Sequence, residues 1–340
     1  MSAATAHRLA RSGAALLWRG DFHNGRQLLR ALGRRVDGGK RLGAGDSSAE
    51  TFWLHRRARG QRALVLGKLT VLLEGDYSLE LRRAPDVRSA CVDAYGPARG
   101  QVAVSLRELL GVLGARQWRE KGVDVPALGA RIQPHYGVFS PVRGEYVKLV
   151  ARAPLPRRCR TAFDLGTGTG VLAAVLARRG CGRVLATDVS ARARECAREN
   201  VRRLGLEGRV FVGGDGELYP EGRAELVVCN PPWLPVRPNS ELEQGVYDGD
   251  GAMLDGFLSG LSGHLAPGGE GWLVLSDLAE HLGLRTRAEL LAAVESAGLR
   301  VLGRMDTRPW HLRARGVDRD DPLRAARAAE VTSLWRLGPA

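Results

Sequence analysis

No run of about eighteen apolar residues occurs anywhere along the 340 positions, so the chain offers no segment able to cross a bilayer as a helix. Cysteine is sparse. Cys91, Cys159, Cys181, Cys196 and Cys229 have no paired metal spacing and are odd in number, which points to free thiols in a reducing, cytoplasmic compartment and to no metal. Lysine is nearly missing, confined to Lys40, Lys68, Lys121 and Lys148, so almost every cation is an arginine. Acids are thin in the front of the chain: residues 1–150 hold 25 Lys and Arg against 13 Asp and Glu, a net +12, whereas residues 151–340 hold 26 against 24, a net +2. A bias of arginine over lysine does not remove acids. The basic front half is therefore expected to meet phosphate, that is, nucleic acid, with a merely solvated basic surface as the alternative. There is no acid before Asp21, but Gly13 to Trp18 is too short for a secretory core and no small-residue cleavage pattern comes after it. An ordinary basic first helix is expected, although the composition would also suit an organellar transit peptide.

What is present centres on Phe163-Asp164-Leu165-Gly166-Thr167-Gly168-Thr169-Gly170. Thr161 to Leu165 is a short apolar run that breaks into alternating glycines, and from Val171 the apolar residues Val171, Leu172, Val175 and Leu176 recur at helical spacing. A strand, a glycine turn and a helix start aim backbone N–H groups at a ligand. The pattern is not that of a dinucleotide site, which wants a third glycine where Val171 stands. Asp164, two residues before Gly166, would repel pyrophosphate but would attract the amino group of S-adenosylmethionine. Arg183 to Thr187 reads as a second strand ending in Asp188, 24 residues after Asp164, a spacing at which a carboxylate reaches a ribose diol. Arg209 to Val212 reads as a third strand, followed by Gly213-Gly214-Asp215, whose acid is placed at the adenine edge. Either acid could instead serve only as a cap for the next element.

Ala224 to Cys229 reads as a fourth strand, and Asn230-Pro231-Pro232-Trp233 lies at its carboxyl end, where open α/β sheets bind ligands. The Asn230 amide offers a carbonyl acceptor, the prolines lock the backbone, and Trp233 offers a ring for stacking. An NH₂ held by Asn230 and the Pro231 carbonyl would face a sulfonium methyl group. Catalysis would then be chiefly positioning, with no strong base.

The remainder sorts around these motifs. Ala4 to Val36 reads as helical with a break near Gly20-Asp21, Gly38 to Ser48 as a connector, and Ala49 to Leu73 as helical with His55, Arg56, Arg57 and Arg59 as a cationic face. Tyr77 to Leu81 alternates like a strand, Asp86 to Ala94 reads as a short helix and Val104 to Trp118 as a longer one. A mostly helical, basic domain over residues 1–122 is thus expected ahead of a catalytic domain over residues 123–340. Val123 to Pro126 and Ala130 to Gln133 are expected to pair as a hairpin, leading through Tyr136 and Phe139, candidates to line the site, into a helix from Glu145. Beyond Trp233, a helix over Leu254 to Leu265, a turn at Pro267-Gly268-Gly269, strands over Gly271 to Ser276, Leu299 to Met305 and Val331 to Leu337, and a helix over Arg285 to Ala297 are expected. Asp306 to Pro322, with Arg308, Trp310, His311 and Arg313, is expected to form a long loop and a lid.

Taken together, Val123 to Leu337 resembles a class I S-adenosylmethionine-dependent methyltransferase of the small-domain type. Its layout is closest to the HemK-type glutamine methyltransferases and is similar to the ribosomal RNA amine methyltransferases that share an Asn-Pro-Pro-aromatic motif. The resemblance implies a Rossmann-like α/β fold with a seven-stranded sheet whose last strand is antiparallel. It also implies that Asp164, Gly166, Gly168, Gly170, Asp188 and Asp215 bind the cofactor, that Asn230, Pro231, Pro232 and Trp233 form the catalytic clamp, and that Phe139 and Trp233 touch substrate. Trp233 stands where the HemK type usually has tyrosine, and Ser140-Pro141-Val142 lacks that family's arginine between prolines. The expected acceptor is a protein glutamine amide or an exocyclic base amine in a macromolecule of the translation machinery. The alternatives are a DNA adenine methyltransferase, a nucleic-acid-binding protein with a vestigial site and, least favoured, a small-molecule methyltransferase.

Overall fold

The computed structural model describes residues 1–38, 45–214, 216–238, 243, 245–309 and 321–340. These divide into two compact units, Met1–Glu120 and Lys121–Ala340. Most of the Gly38 to Ser48 connector and the expected lid residues Trp310, His311 and Arg313 fall outside the described residues.

In the first unit helices α1 (Ala3–Arg11), α2 (Phe22–Asp37), α3 (Ser48–Gly67), α4 (Arg88–Tyr95) and α5 (Leu106–Lys121, whose last residue enters the second unit) accompany a small sheet of β1 (Leu16–Leu17), β2 (Leu69–Leu73) and β3 (Val102–Ser105). β2 lies between its neighbours, parallel to β1 and antiparallel to β3. Asp21 starts α2 by accepting the N–H groups of His23 and Asn24 at 2.9 and 3.1 Å, which is the work of an N-cap. The core joins Ala6, Phe22 and Leu32 from the helices to Leu69, Val71 and Leu73 from β2.

That sheet corrects three expectations. The helix over Ala49 to Leu73 stops at Gly67, because Leu69, Val71 and Leu73 alternate into the core with period two. Val104 and Ser105 extend β3 before α5 begins. Tyr77 to Leu81 is no strand: Tyr77 has φ +64° and its N–H closes a turn on the Glu74 carbonyl. Short apolar runs carry either period, and only the partner strand decides between them.

The second unit opens on a hairpin, β4 (Val123–Val125) against β5 (Ala130–Ile132), turned by a short 3₁₀ helix over Pro126–Leu128. After it come α6 (Glu145–Arg152), β6 (Thr161–Leu165), α7 (Val171–Arg178), β7 (Arg183–Thr187), α8 (Ala191–Arg203), β8 (Val210–Gly213), β9 (Ala224–Cys229), α9 (Ala252–His264), β10 (Leu265–Ser276), α10 (Leu278–His281), α11 (Arg287–Ser296), β11 (Leu299–Thr307), α12 (Arg324–Ala329) and β12 (Thr332–Pro339). Seven strands form one sheet in the order β11-β12-β10-β9-β6-β7-β8. β6 to β10 run parallel, and β12 is antiparallel to both of its neighbours. The chain thus steps outward from β6 through β7 and β8, then returns to β9 on the other side of β6. This is the reversal at which an open α/β sheet leaves a ligand crevice.

Both faces of the sheet are covered, as a parallel sheet requires. Ala162, Leu226, Val228 and Trp272 face the side of α6 and α7, while Phe163, Leu165, Val227 and Leu273 face that of α9 and α11. The turn expected at Pro267-Gly268-Gly269 lies inside β10, which shifts register between Leu265 and Glu270. Asp306, expected in the loop, belongs to β11 and binds Arg304 and Ser333.

The segment leading from the hairpin toward Phe139 is held by α8, where Cys196, Glu199 and Arg192 bind it beside Asn200. Asn200 accepts the Gln133 N–H at Oδ1 (2.8 Å) and donates from Nδ2 to the carbonyls of Gln133 (3.0 Å) and Thr169 (3.1 Å). It is 1% exposed, so water cannot replace these bonds. Asn200→Ala is expected to lower the unfolding free energy by about 2–4 kcal/mol, measured in urea, because it takes the Asn200 partner from the Gln133 N–H and the Thr169 carbonyl.

Candidate functional site

The turn after β6 is built on left-handed backbone. Gly166, Gly168 and Gly170 have φ of +68°, +54° and +80°, a region that side-chain-bearing residues avoid. Each also meets a different environment. A Cβ at Gly166 would collide with the Met253 methyl, one at Gly170 would press to 3.2 Å on the α8 backbone at Ala197, and one at Gly168 would meet nothing within 4 Å. Gly168 is therefore the open side of the loop. The loop is tied to β7 by Thr167 N–H on the Thr187 carbonyl at 2.9 Å and by Gly168 N–H on Asp188 Oδ2 at 2.9 Å.

Asp164 lies beneath this turn at 1% exposure. Its Oδ2 accepts from Thr167 Oγ1 at 2.6 Å and from the Ala173 N–H of α7 at 2.9 Å, while its Oδ1 is buried with no partner among the described residues. Burial pushes its carboxyl up to about 6, against the two hydrogen bonds that lower it and with the help of the nearby Asp188 charge. Asp188 is likewise raised, chiefly by burial, though Oδ1 accepts the Ser190 N–H and Oδ2 that of Gly168. Two carboxylates with little solvent make this corner a place for a cation.

A cavity of about 410 Å³ opens between these groups and the end of β9. Of the residues singled out in the sequence, Gly166, Gly168, Asp188, Asn230, Pro232 and Phe139 line it. Asp164, Gly170, Pro231, Trp233 and Tyr136, the last expected to line the site, are not on its wall, and Asp215 lies outside the described residues. Asp164 and Gly170 shape the loop from behind. The Trp233 indole N–H donates to Asn230 Oδ1 at 2.9 Å, and one face of its ring carries the Arg143 guanidinium at 4.9 Å. The face expected for stacking is thus covered on that side. Phe139, by contrast, faces the cavity, and Gly245 packs so closely on it that a Cβ there would lie 2.7 Å from its own Cβ.

Residues that carry no motif complete the wall: Tyr146 from α6, Thr187 and Ser190 beside Asp188, Leu218, and Met253 from α9. Asp248 also lines it, and its carboxylate starts α9 by accepting the Met253 and Leu254 N–H groups, with burial raising its carboxyl. An Asp five residues before an apolar helical stretch was the available signal for it.

Comparison with known proteins places this site in context. Residues 130–295 match the family model "Methyltransferase small domain". The chain is 36% identical over 152 residues to a ribosomal protein L11 methyltransferase of Pelotomaculum thermopropionicum, covering 44% of this chain and 41% of that protein. It is 37% identical over 131 residues to a release factor glutamine methyltransferase of Bordetella pertussis, covering 34% and 48%. A ribosomal RNA small subunit methyltransferase C of Alcanivorax borkumensis is 37% identical over 112 residues, covering 33% and 31%. The match thus spans about half or less of the length of these relatives.

Because the folded carboxyl of Asp164 is raised from 3.8 to about 6, the folded protein holds a proton there that the unfolded chain has released. Stability from this group is therefore present below pH 4 and is lost as pH rises to about 6, by an amount on the order of 3 kcal/mol. Unfolding free energies from pH 4 to 7 should show this decline in the wild type, and Asp164→Asn should remove Asp164's share of it.

Proposed function

We propose that this chain, which carries a methyltransferase small domain over residues 130–295, is an S-adenosylmethionine-dependent N-methyltransferase acting on a planar nitrogen in a macromolecule of the translation machinery. The observation that carries this is a single cavity on which an acid-backed glycine loop, Asp188, Asn230 and Pro232 converge. The residues present fit the methyl donor. Asp188 on the cavity wall, with Asp164 directly behind the glycine loop, makes this corner anionic and suits an ammonium group, and the open side of Gly168 admits backbone approach without a side chain in the way. Gly166, Gly168 and Gly170 would shape the donor's cradle, Asp188 would take the ribose hydroxyls, and Asp215 the adenine side. When bound, the donor supplies an electrophilic methyl on a sulfonium.

The chain's own residues then do the positioning. Asn230 Oδ1 has one lone pair engaged by Trp233, which leaves one to accept an N–H of the acceptor. Phe139 would cover the planar group. Methylation leaves an extra proton on nitrogen that water can take, so the reaction needs no histidine or lysine, and none is among the described residues of the cavity wall.

The names of the relatives, a ribosomal protein methyltransferase, a release factor glutamine methyltransferase and a ribosomal RNA methyltransferase, support a translation-linked acceptor, either a glutamine amide or an exocyclic base amine. The first unit holds 21 Lys and Arg against 11 Asp and Glu, a net +10, which supports contact with a nucleic-acid backbone. On α3, Trp53, Arg57, Gln61 and Leu64 recur at helical spacing on its exposed side, which would put a stacking ring beside cations. Among the described residues no helix is long and apolar enough to cross a membrane.

The test is incubation with methyl-labelled S-adenosylmethionine and a lysate of cells lacking the protein, followed by separate digestion with ribonuclease, protease and deoxyribonuclease. Label lost only to protease or only to ribonuclease supports the proposal and selects the acceptor; label lost only to deoxyribonuclease, or no macromolecular label, overturns it. Donor binding should also tighten as pH rises through about 6, where Asp164 ionises and its charge behind the loop attracts an ammonium group. Calorimetric titration at pH 5 and pH 7.5 checks this, and Asp164→Asn should bind more weakly with a smaller dependence on pH.

A further inference from the structure

We infer that Trp233 is a positioning residue, which sets the orientation of the Asn230 amide and is itself held by Arg143 between two buried glutamates. This rests on the methyl-transfer reading above only for its catalytic consequence. The indole N–H is a donor and nothing else, so the atom of Asn230 that faces it must be the carbonyl oxygen, and the bond is 2.9 Å. A flipped amide would set N–H against N–H. Asn230 therefore presents a defined oxygen and a defined NH₂ to the cavity that it lines.

The ring that imposes this cannot drift. Arg143 lies over it at 4.9 Å, a distance at which a guanidinium is attracted to an indole face. Arg143 is clasped in turn: Nε donates to Glu145 Oε1 at 2.6 Å and Nη2 to Glu330 Oε1 at 3.0 Å, and the same Glu330 oxygen accepts from Ser276 Oγ at 2.6 Å. Glu145 is 0% exposed and Glu330 2%, so both ion pairs are sheltered from water. Glu145 begins α6, Ser276 ends β10 and Glu330 comes directly after α12, so three separate parts of the unit fix the ring. A planar guanidinium serves this geometry, with its flat face on the indole and its edges on two carboxylates; an ammonium would not.

The consequence is a division of labour. With Arg143 on one side of its ring and its edge bonded to Asn230, Trp233 acts through Asn230, and the aromatic residues on the cavity wall are Phe139 and Tyr146.

The experiment uses the full chain labelled with ¹⁵N at its tryptophan indoles. Trp233→Phe assigns the resonance, and hydrogen exchange of that N–H is compared in the wild type, Asn230→Ala and Arg143→Lys. Exchange should be slow in the wild type and at least about tenfold faster in both variants, the factor corresponding to one lost hydrogen bond. In the methylation assay Trp233→Phe should lower kcat about tenfold or more while leaving KM for S-adenosylmethionine unchanged, and should add nothing in an Asn230→Ala background. A residue that merely fills the core would instead lower the unfolding midpoint with kcat intact. An exchange rate unaffected by Asn230→Ala, or a wild-type kcat in Trp233→Phe, overturns the inference. If the wild type methylates no acceptor, the proposed function fails, and the exchange rates alone decide the role of Trp233.

Discussion

One oxygen of one buried carboxylate joins the strand, the turn and the helix on which the second unit's site is built. Asp164 Oδ2 takes both the Thr167 hydroxyl and the Ala173 N–H, so the end of β6, the glycine turn and the first turn of α7 share a single acceptor. Removing a charge-bearing group from water is costly, and the raised carboxyl of Asp164 records that cost. The same burial leaves the second oxygen unpartnered behind the glycine loop, whose Gly166 and Gly168 line the cavity.

The rest of the unit stabilises that corner from several directions. The sheet reversal between β6 and β9 brings the turn within reach of Asn230, although sixty-odd residues of chain separate them. Asn200 of α8 holds the lead-in segment that carries Phe139, and Asp248 sets the start of α9, which brings Met253 against Gly166. The glycine at 166 is thus doubly constrained, by its positive φ and by the methionine that fills the space where a Cβ would go.

Polar order continues behind the asparagine. The sequence Glu330, Arg143, Trp233, Asn230 runs from a buried ion pair to the cavity through one stacked ring and one hydrogen bond. Each link uses a group with one chemical option: a guanidinium that stays charged, an indole that only donates, an amide with one oxygen. Such a chain transmits orientation with little freedom, which is what a reaction governed by alignment needs.

The parallel strands were legible in the sequence because a strand buried on both faces is a nearly continuous apolar run ending at a polar or glycine residue, as at Leu165, Thr187 and Cys229. The glycine loop and Asn230-Pro231-Pro232 were legible because left-handed backbone and a proline-locked turn admit few residue types. The small sheet of the first unit was not, since Leu69 to Leu73 and Val102 to Ser105 are too short to show which period governs them until β2 finds its partners. Nor could the sequence divide roles within its own motif. That Asp164 lies behind the loop and that Trp233 turns its N–H to Asn230 rest on short-range contacts whose geometry no residue pattern shows, while Arg143 on the Trp233 face and the arrival of Tyr146, Asp248 and Met253 at the cavity depend on residues far apart in the chain. Local sequence determined which residues could make a loop, a strand or a clamp; the packing of distant elements decided which of their faces the cavity receives.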